Sequence, residues 1–103
     1  MKLKELQELV PMGLREARMR SGLKADQAAA RIGISVQALQ KHEEGQNLPQ
    51  LEVFLRELAA YGLDFASFNQ LLLEVKMAKR INAVEAKVQE LRLRVNQVEE
   101  YEG

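Results

Sequence analysis

Residues 25–45, ADQAAARIGISVQALQKHEEG, decide how the rest of the chain is read. Ala28, Ala29 and Ile32 fall along one side of a first short helix, and the alanines let a neighbouring helix approach closely. Gly33 follows the last helical residue, where a tight turn calls for a left-handed backbone that glycine adopts without steric cost. Ile34 turns back toward the core. Ser35 is a good N-cap for a second helix, because its hydroxyl accepts from a free backbone N–H. Gly45 ends that helix. At about 100° per residue, Leu39, His42 and Glu43 share one side of it and Gln37, Gln40, Lys41 and Glu44 the other, with Val36 at the N-terminal edge. With Leu39 in the core, Gln37, Gln40 and Lys41 point outward.

Working toward the N-terminus, Leu3, Leu6, Leu9 and Val10 stand at helical spacing, and Pro11 is expected to end or interrupt that short helix. A further helix is expected over residues 13–21, with Leu14, Ala17 and Ser21 inward and Gly22 as its stop. Toward the C-terminus, residues 46–50, QNLPQ, read as a loop. Pro49 suits the start of a helix over about residues 50–61 that presents Leu51, Phe54, Leu55 and Leu58. Gly62 stops it, Asp64 caps the next helix, and Phe65 and Phe68 are expected to fill the core. No stretch alternates with period two, so no strand is expected.

From Phe65 to Tyr101 there is neither proline nor glycine. A helix of that length spans roughly 55 Å and needs a partner for its apolar stripe. Met77, Ile81, Val84, Val88, Leu91, Val95 and Val98 recur in steps of four and three. This is a heptad seam with Ile81, Val88 and Val95 at a, and Met77, Val84, Leu91 and Val98 at d. β-Branched residues at a favour a parallel two-stranded coil. The g positions are Arg80, Lys87 and Arg94, and the e positions Glu85, Arg92 and Glu99. Parallel pairing brings Arg80 to Glu85 and Arg94 to Glu99, at the cost of Lys87 facing Arg92, whereas antiparallel pairing sets the basic g positions together. A parallel homodimer is therefore expected. A trimer or tetramer stays open, since residues 80–85 and 94–99 follow a pattern seen in short trimeric coils and Leu93 lies at an outer position.

Composition bounds the chemistry. The chain has 103 residues, no cysteine and a single histidine, so disulfides and thiolate or multi-histidine metal sites are excluded. No apolar run reaches membrane-spanning length and the N-terminus is too charged for a secretory signal, which sets a cytoplasmic expectation. Lys plus Arg and Asp plus Glu both number 15, which argues against strong non-specific nucleic-acid binding, and any DNA-binding surface would have to come from local arrangement. No nucleophile–base pairing and no glycine-rich phosphate loop points to an enzyme, and neither a cofactor nor a small-molecule ligand is expected.

At matching spacing over about 55 residues, LREARMRSGL (14–23), AAARIGIS (28–35), ALQKHEEG (38–45) and LPQLEVFLRELAAYGLD (48–64) resemble the phage-repressor/Cro class of helix-turn-helix proteins, the Xre family. The resemblance implies an all-α, five-helix, lambda-repressor-like DNA-binding domain, here with a long C-terminal coiled-coil helix. The expected division is a short N-terminal helix at 1–11, the helix-turn-helix domain at 12–68 and the oligomerisation helix at 69–101. The resemblance also implies that the second helix of the pair enters the major groove of double-stranded DNA. Val36, Gln37, Gln40 and Lys41 would then meet bases, and Lys24, Gln46 and Asn47 the backbone, with Arg18 and Glu43 as a structural ion pair. The chain departs from the family where Lys24 and Ala25 replace a capping Ser-Gln, and where Glu44 puts an acid on the DNA side. The expected function is a transcriptional regulator of repressor type on a pseudo-palindromic operator, associated with the nucleoid when bound. The alternative is a protein-interaction module (antitoxin, adaptor or regulator subunit) that keeps the fold without strong DNA binding.

Overall fold

The computed structural model describes residues 1–102, with side chains described through Val95. It consists of α1 (Leu3–Arg20), α2 (Ala25–Ile32), α3 (Val36–Glu43), α4 (Leu51–Ala60) and α5 (Phe65–Glu102), with no strand among the described residues. α1 packs on α3 and on the start of α5, while α2 packs on α3 and α4. One apolar core joins them, built from Leu9, Leu14 and Ala17 of α1, Ala28, Ala29 and Ile32 of α2, Leu39 of α3, Leu58 of α4, Tyr61, and Phe68, Leu71 and Leu72 of α5. Among the described residues no helix is long and apolar enough to cross a membrane.

Local chemistry sets the joints. Gly33 takes φ 85° and its N–H reaches Ala29 O, closing α2 before the turn. Ser35 Oγ accepts from the Ala38 N–H at 3.1 Å and starts α3. Asp64 Oδ1 accepts from the Ser67 N–H at 2.7 Å and starts α5. Lys24 has no side-chain acceptor for a cap, but Gln27 supplies one in reverse: its Oε1 accepts from the Lys24 N–H at 3.1 Å.

Several expectations need correcting. Pro11 neither ends nor interrupts a helix, because α1 runs unbroken through it. The lost bond to residue 7 falls at the exposed Gln7, and the proline ring is buried, its Cγ only 3.4 Å from where a side chain on Gly45 would begin. Burial of the ring offsets the missing hydrogen bond. The segment expected as a separate helix at 1–11 is thus the first half of α1. Leu71, Leu72 and Val75, expected in the oligomerisation helix, belong to the core of the compact head formed by α1–α4 and the first turns of α5. Leu3, Ser21, Leu51, Leu55 and Phe65 are exposed rather than inward. In α4 the buried arc is carried by Glu57 and Leu58 with Phe54 half-buried beside them, so Leu51 and Leu55 fall on the outer side.

Beyond Val75, α5 leaves the head, and the molecule extends over 64 Å by 28 Å by 22 Å. The seam residues Met77, Ile81, Val84, Val88, Leu91 and Val95 are all exposed, between 40% and 62%. Val98 lies outside the residues whose side chains are described.

Candidate nucleic-acid interface

α3 is only eight residues long and is held from behind by three different contacts. Leu39 is 1% exposed in the core, and burying a leucine contributes about 1.5–3 kcal/mol. Glu43 meets Arg18 of α1 through both carboxylate oxygens, with Nε–Oε1 at 2.5 Å and Nη2–Oε2 at 3.3 Å. Arg18 also donates from Nη1 to Leu23 O at 3.0 Å, so one guanidinium joins α1, α3 and the entry to α2. The bond to Glu43 holds the Arg18 guanidinium even further into its charged range than usual. The third contact is a hydrogen bond between His42 Nδ1 and Oε1 of Glu57 on α4, at 2.7 Å.

Glu57 is the residue that sequence reasoning missed. It is fully buried, and burial pushes its carboxyl above the ordinary range, opposed by the hydrogen bond from His42. Its second oxygen and the Tyr61 hydroxyl are buried without a hydrogen-bond partner among the described residues. Burial, with Glu57 close by, also raises the Tyr61 phenol well above its usual value. The signal available in the sequence was His42 itself: a histidine on the inward side of α3 needs a polar partner.

With its rear face fixed, α3 turns Gln37, Gln40, Lys41 and Glu44 to solvent, and half-buries Val36 at its first turn. Gln46 and Asn47 are exposed just beyond, their N–H groups bonded to Lys41 O at 3.0 and 3.4 Å. Glu44 is not isolated on this face, since Gln46 Nε2 donates to its Oε2 at 3.0 Å. Lys24 is exposed at the start of α2. Next to it Ala25 lines an open cleft of about 210 Å³ with Gln40 and Glu43 of α3, Glu44 just after it, and Arg15 and Arg18 of α1. The fold therefore brings Arg15 beside the outward face of α3, a proximity that residue order does not reveal.

Arg20 and Arg56 have different work. Arg20 is engaged by Glu16 at 3.0 Å and Glu74 at 2.8 Å, between α1 and α5. Arg56 Nη1 donates to Ile32 O at 3.1 Å, closing the carbonyl end of α2. Among the described residues, no group of three or more metal-ligating side chains is placed to hold an ion.

The arrangement presents a short, braced helix with amide and ammonium groups outward, flanked by Lys24 and Arg15. Such groups suit hydrogen bonding to base edges and phosphates. A family model described as a helix-turn-helix domain matches residues 13–70, more than half of the chain. No curated protein matches it.

Proposed function

We propose that this chain, which belongs to the helix-turn-helix domain family, is a sequence-specific transcriptional regulator of phage-repressor type that reads a pseudo-palindromic operator as a parallel homodimer. The observation that carries this reading is the stance of α3. Leu39, His42 and Glu43 are spent on the head, and Gln37, Gln40 and Lys41 are left exposed along one side. Gln37 and Gln40 would read base edges, Lys41 a guanine or a nearby phosphate, and Val36 a thymine methyl. Lys24, Gln46 and Asn47 would hold the backbone, joined by Arg15 across the cleft.

The seam supports duplication of the head. At about 100° per residue, Met77 to Val95 lie nearly opposite Phe68, Leu71, Leu72 and Val75, about 180° away around α5. The apolar seam thus faces away from its own head, and a second copy is the occupant its heptads and flanking charges favour: Arg80 meets a partner glutamate at position 85. Two heads about one DNA turn apart would each supply a modest contact, and linkage would make the sum selective.

Gln37→Ala and Lys41→Ala are the test. Each is expected to weaken binding to a selected operator by about 10-fold or more, at about 1–3 kcal/mol per good base contact, without changing the melting temperature. Unchanged affinity in both would remove α3 as the reader. Glu44 and the charge balance favour a second reading, a protein-interaction module. Failure to retain any duplex at low salt selects that one.

A further inference from the structure

We infer that the reading head and the pairing seam form one rigid body, joined without a hinge across residues 71–79, and that the protein therefore accepts operators of a single half-site spacing. This rests on the reading of the chain as a dimeric DNA-binding regulator. Two jobs overlap on the same two turns of α5. Leu71 and Leu72 are each 4% exposed within the head, whereas Leu73, the next residue, is 41% exposed. Leu73 lies on the seam side, one helical turn before Met77, and so begins the pairing face earlier than the heptads alone indicate. Val75 then returns to the head, half-buried, and Met77 to the seam.

Polar contacts brace the same segment against α1. Lys76 Nζ lies 2.6 Å from Glu5 Oε1. Lys79 Nζ lies 3.2 Å from Glu8 Oε2, and Glu74 takes Arg20 at 2.8 Å. No proline or glycine interrupts the helix from Phe65 to Tyr101. Bending it between head and seam would break backbone hydrogen bonds and uncover Leu72 or Val75, so neither end moves without the other. In a paired molecule the two copies of α3 are then fixed in separation and in rotation. One inserted base pair moves a half-site by about 3.4 Å along the DNA and about 35° around it. A flexible linker would follow that displacement; this joint has no slack to do so.

The test uses the intact chain and two measurements. Because the sequence lacks cysteine, Ala30→Cys, at an exposed position of α2, carries one spin label per protomer. A chain that sediments as a dimer should give a single narrow inter-label distance. In parallel, binding is measured on an operator selected from a random duplex pool, and on versions with one or two base pairs added or removed at its centre. Every altered spacing should lose at least about 10-fold in affinity. A broad distance distribution in a confirmed dimer overturns the rigid joint while leaving the DNA reading intact. A narrow distance with equal affinity across spacings overturns the selectivity. A monomeric chain, or one that retains no duplex, overturns the underlying reading and this inference with it.

Discussion

Glu57 shows how a single charge can shape a small head. Its neighbours in α4 are Arg56, exposed, and Leu58, buried, and nothing in the residue itself says which side it takes. The structure puts it fully inside, against His42, with Tyr61 and the Arg18–Glu43 pair close by. Its carboxyl is raised chiefly by burial, so the folded state disfavours the charged form relative to the unfolded chain. Such a group contributes stability that is fully present below the ordinary carboxylate value, about pH 4, and lost as pH rises through its raised value. Glu57→Gln keeps an acceptor for His42 and cannot ionise. The melting temperature of Glu57→Gln minus that of the parent should therefore be flat below about pH 4 and grow more positive toward neutrality. Thermal unfolding in a pH series checks this. A difference that falls with rising pH would mean that attraction to His42 outweighs burial. Asp64 works the other way: the Ser67 N–H holds its carboxyl below the usual range, so its contribution is present above the ordinary carboxylate value and fades as pH falls. At this scale the outward side of α3 was legible. Leu39 at the core fixes the wheel, and Gln37, Gln40 and Lys41 follow as exposed residues. Arg15 was not, because its place beside Gln40 depends on how α1 crosses α3.

Helix starts and stops were legible wherever a local signal decides them. Gly33, Ser35 and Asp64 act on bonds within a few residues, and all three take the expected roles. Pro11 misled because its effect on a helix is local but its tolerance is not. The ring is buried within the fold, and the loop at Gly45, far away in sequence, lies beside it. Gly13, two residues further along α1, belongs to the same lesson. A Cβ there would stand 2.6 Å from Leu72 Cδ2 and 3.3 Å from the Phe68 ring. This is the close crossing of α1 over α5. Replacing a glycine inside a helix by alanine ordinarily gains about 1 kcal/mol. Here the added methyl meets two buried side chains, and overpacking of that kind costs about 1–3 kcal/mol. Gly13→Ala is expected to lose about 1 kcal/mol net, read as a lower denaturant midpoint at unchanged slope. Trimming the obstacle should uncover the gain: Gly13→Ala should cost less in a Leu72→Val background than alone. A stabilised Gly13→Ala would show that the crossing has room to spare.

For the whole molecule, the head and the seam draw on different faces of one helix. Leu71, Leu72 and Val75 close the head's core, and the exposed run from Met77 to Val95 lies on the far side. Heptad spacing made the exposed apolar stripe legible over residues 77–95, with Val98 outside the described side chains, but not the handover between residues 71 and 79, since membership of the head depends on contact with α1. The separation of faces gives a clean prediction. Val88 sits at an a position, where two parallel copies would place the same residue side by side across the axis. Val88→Glu would bury two carboxylates against each other in an apolar layer, a cost that Lys87 and Arg92 on its solvated rim offset only in part. Sedimentation should then report a monomer. The head should keep its melting transition, because no core residue lies beyond Val75 among the described residues. Operator affinity should fall by about 10²–10⁴-fold, the range by which linked sites exceed single ones. Lost helical signal with a preserved head transition would locate the damage in the seam. A Val88→Glu chain that stays dimeric would put the pairing face elsewhere. A monomer that binds the operator as tightly as the parent would mean that one head suffices, and that the long helix serves something other than DNA reading.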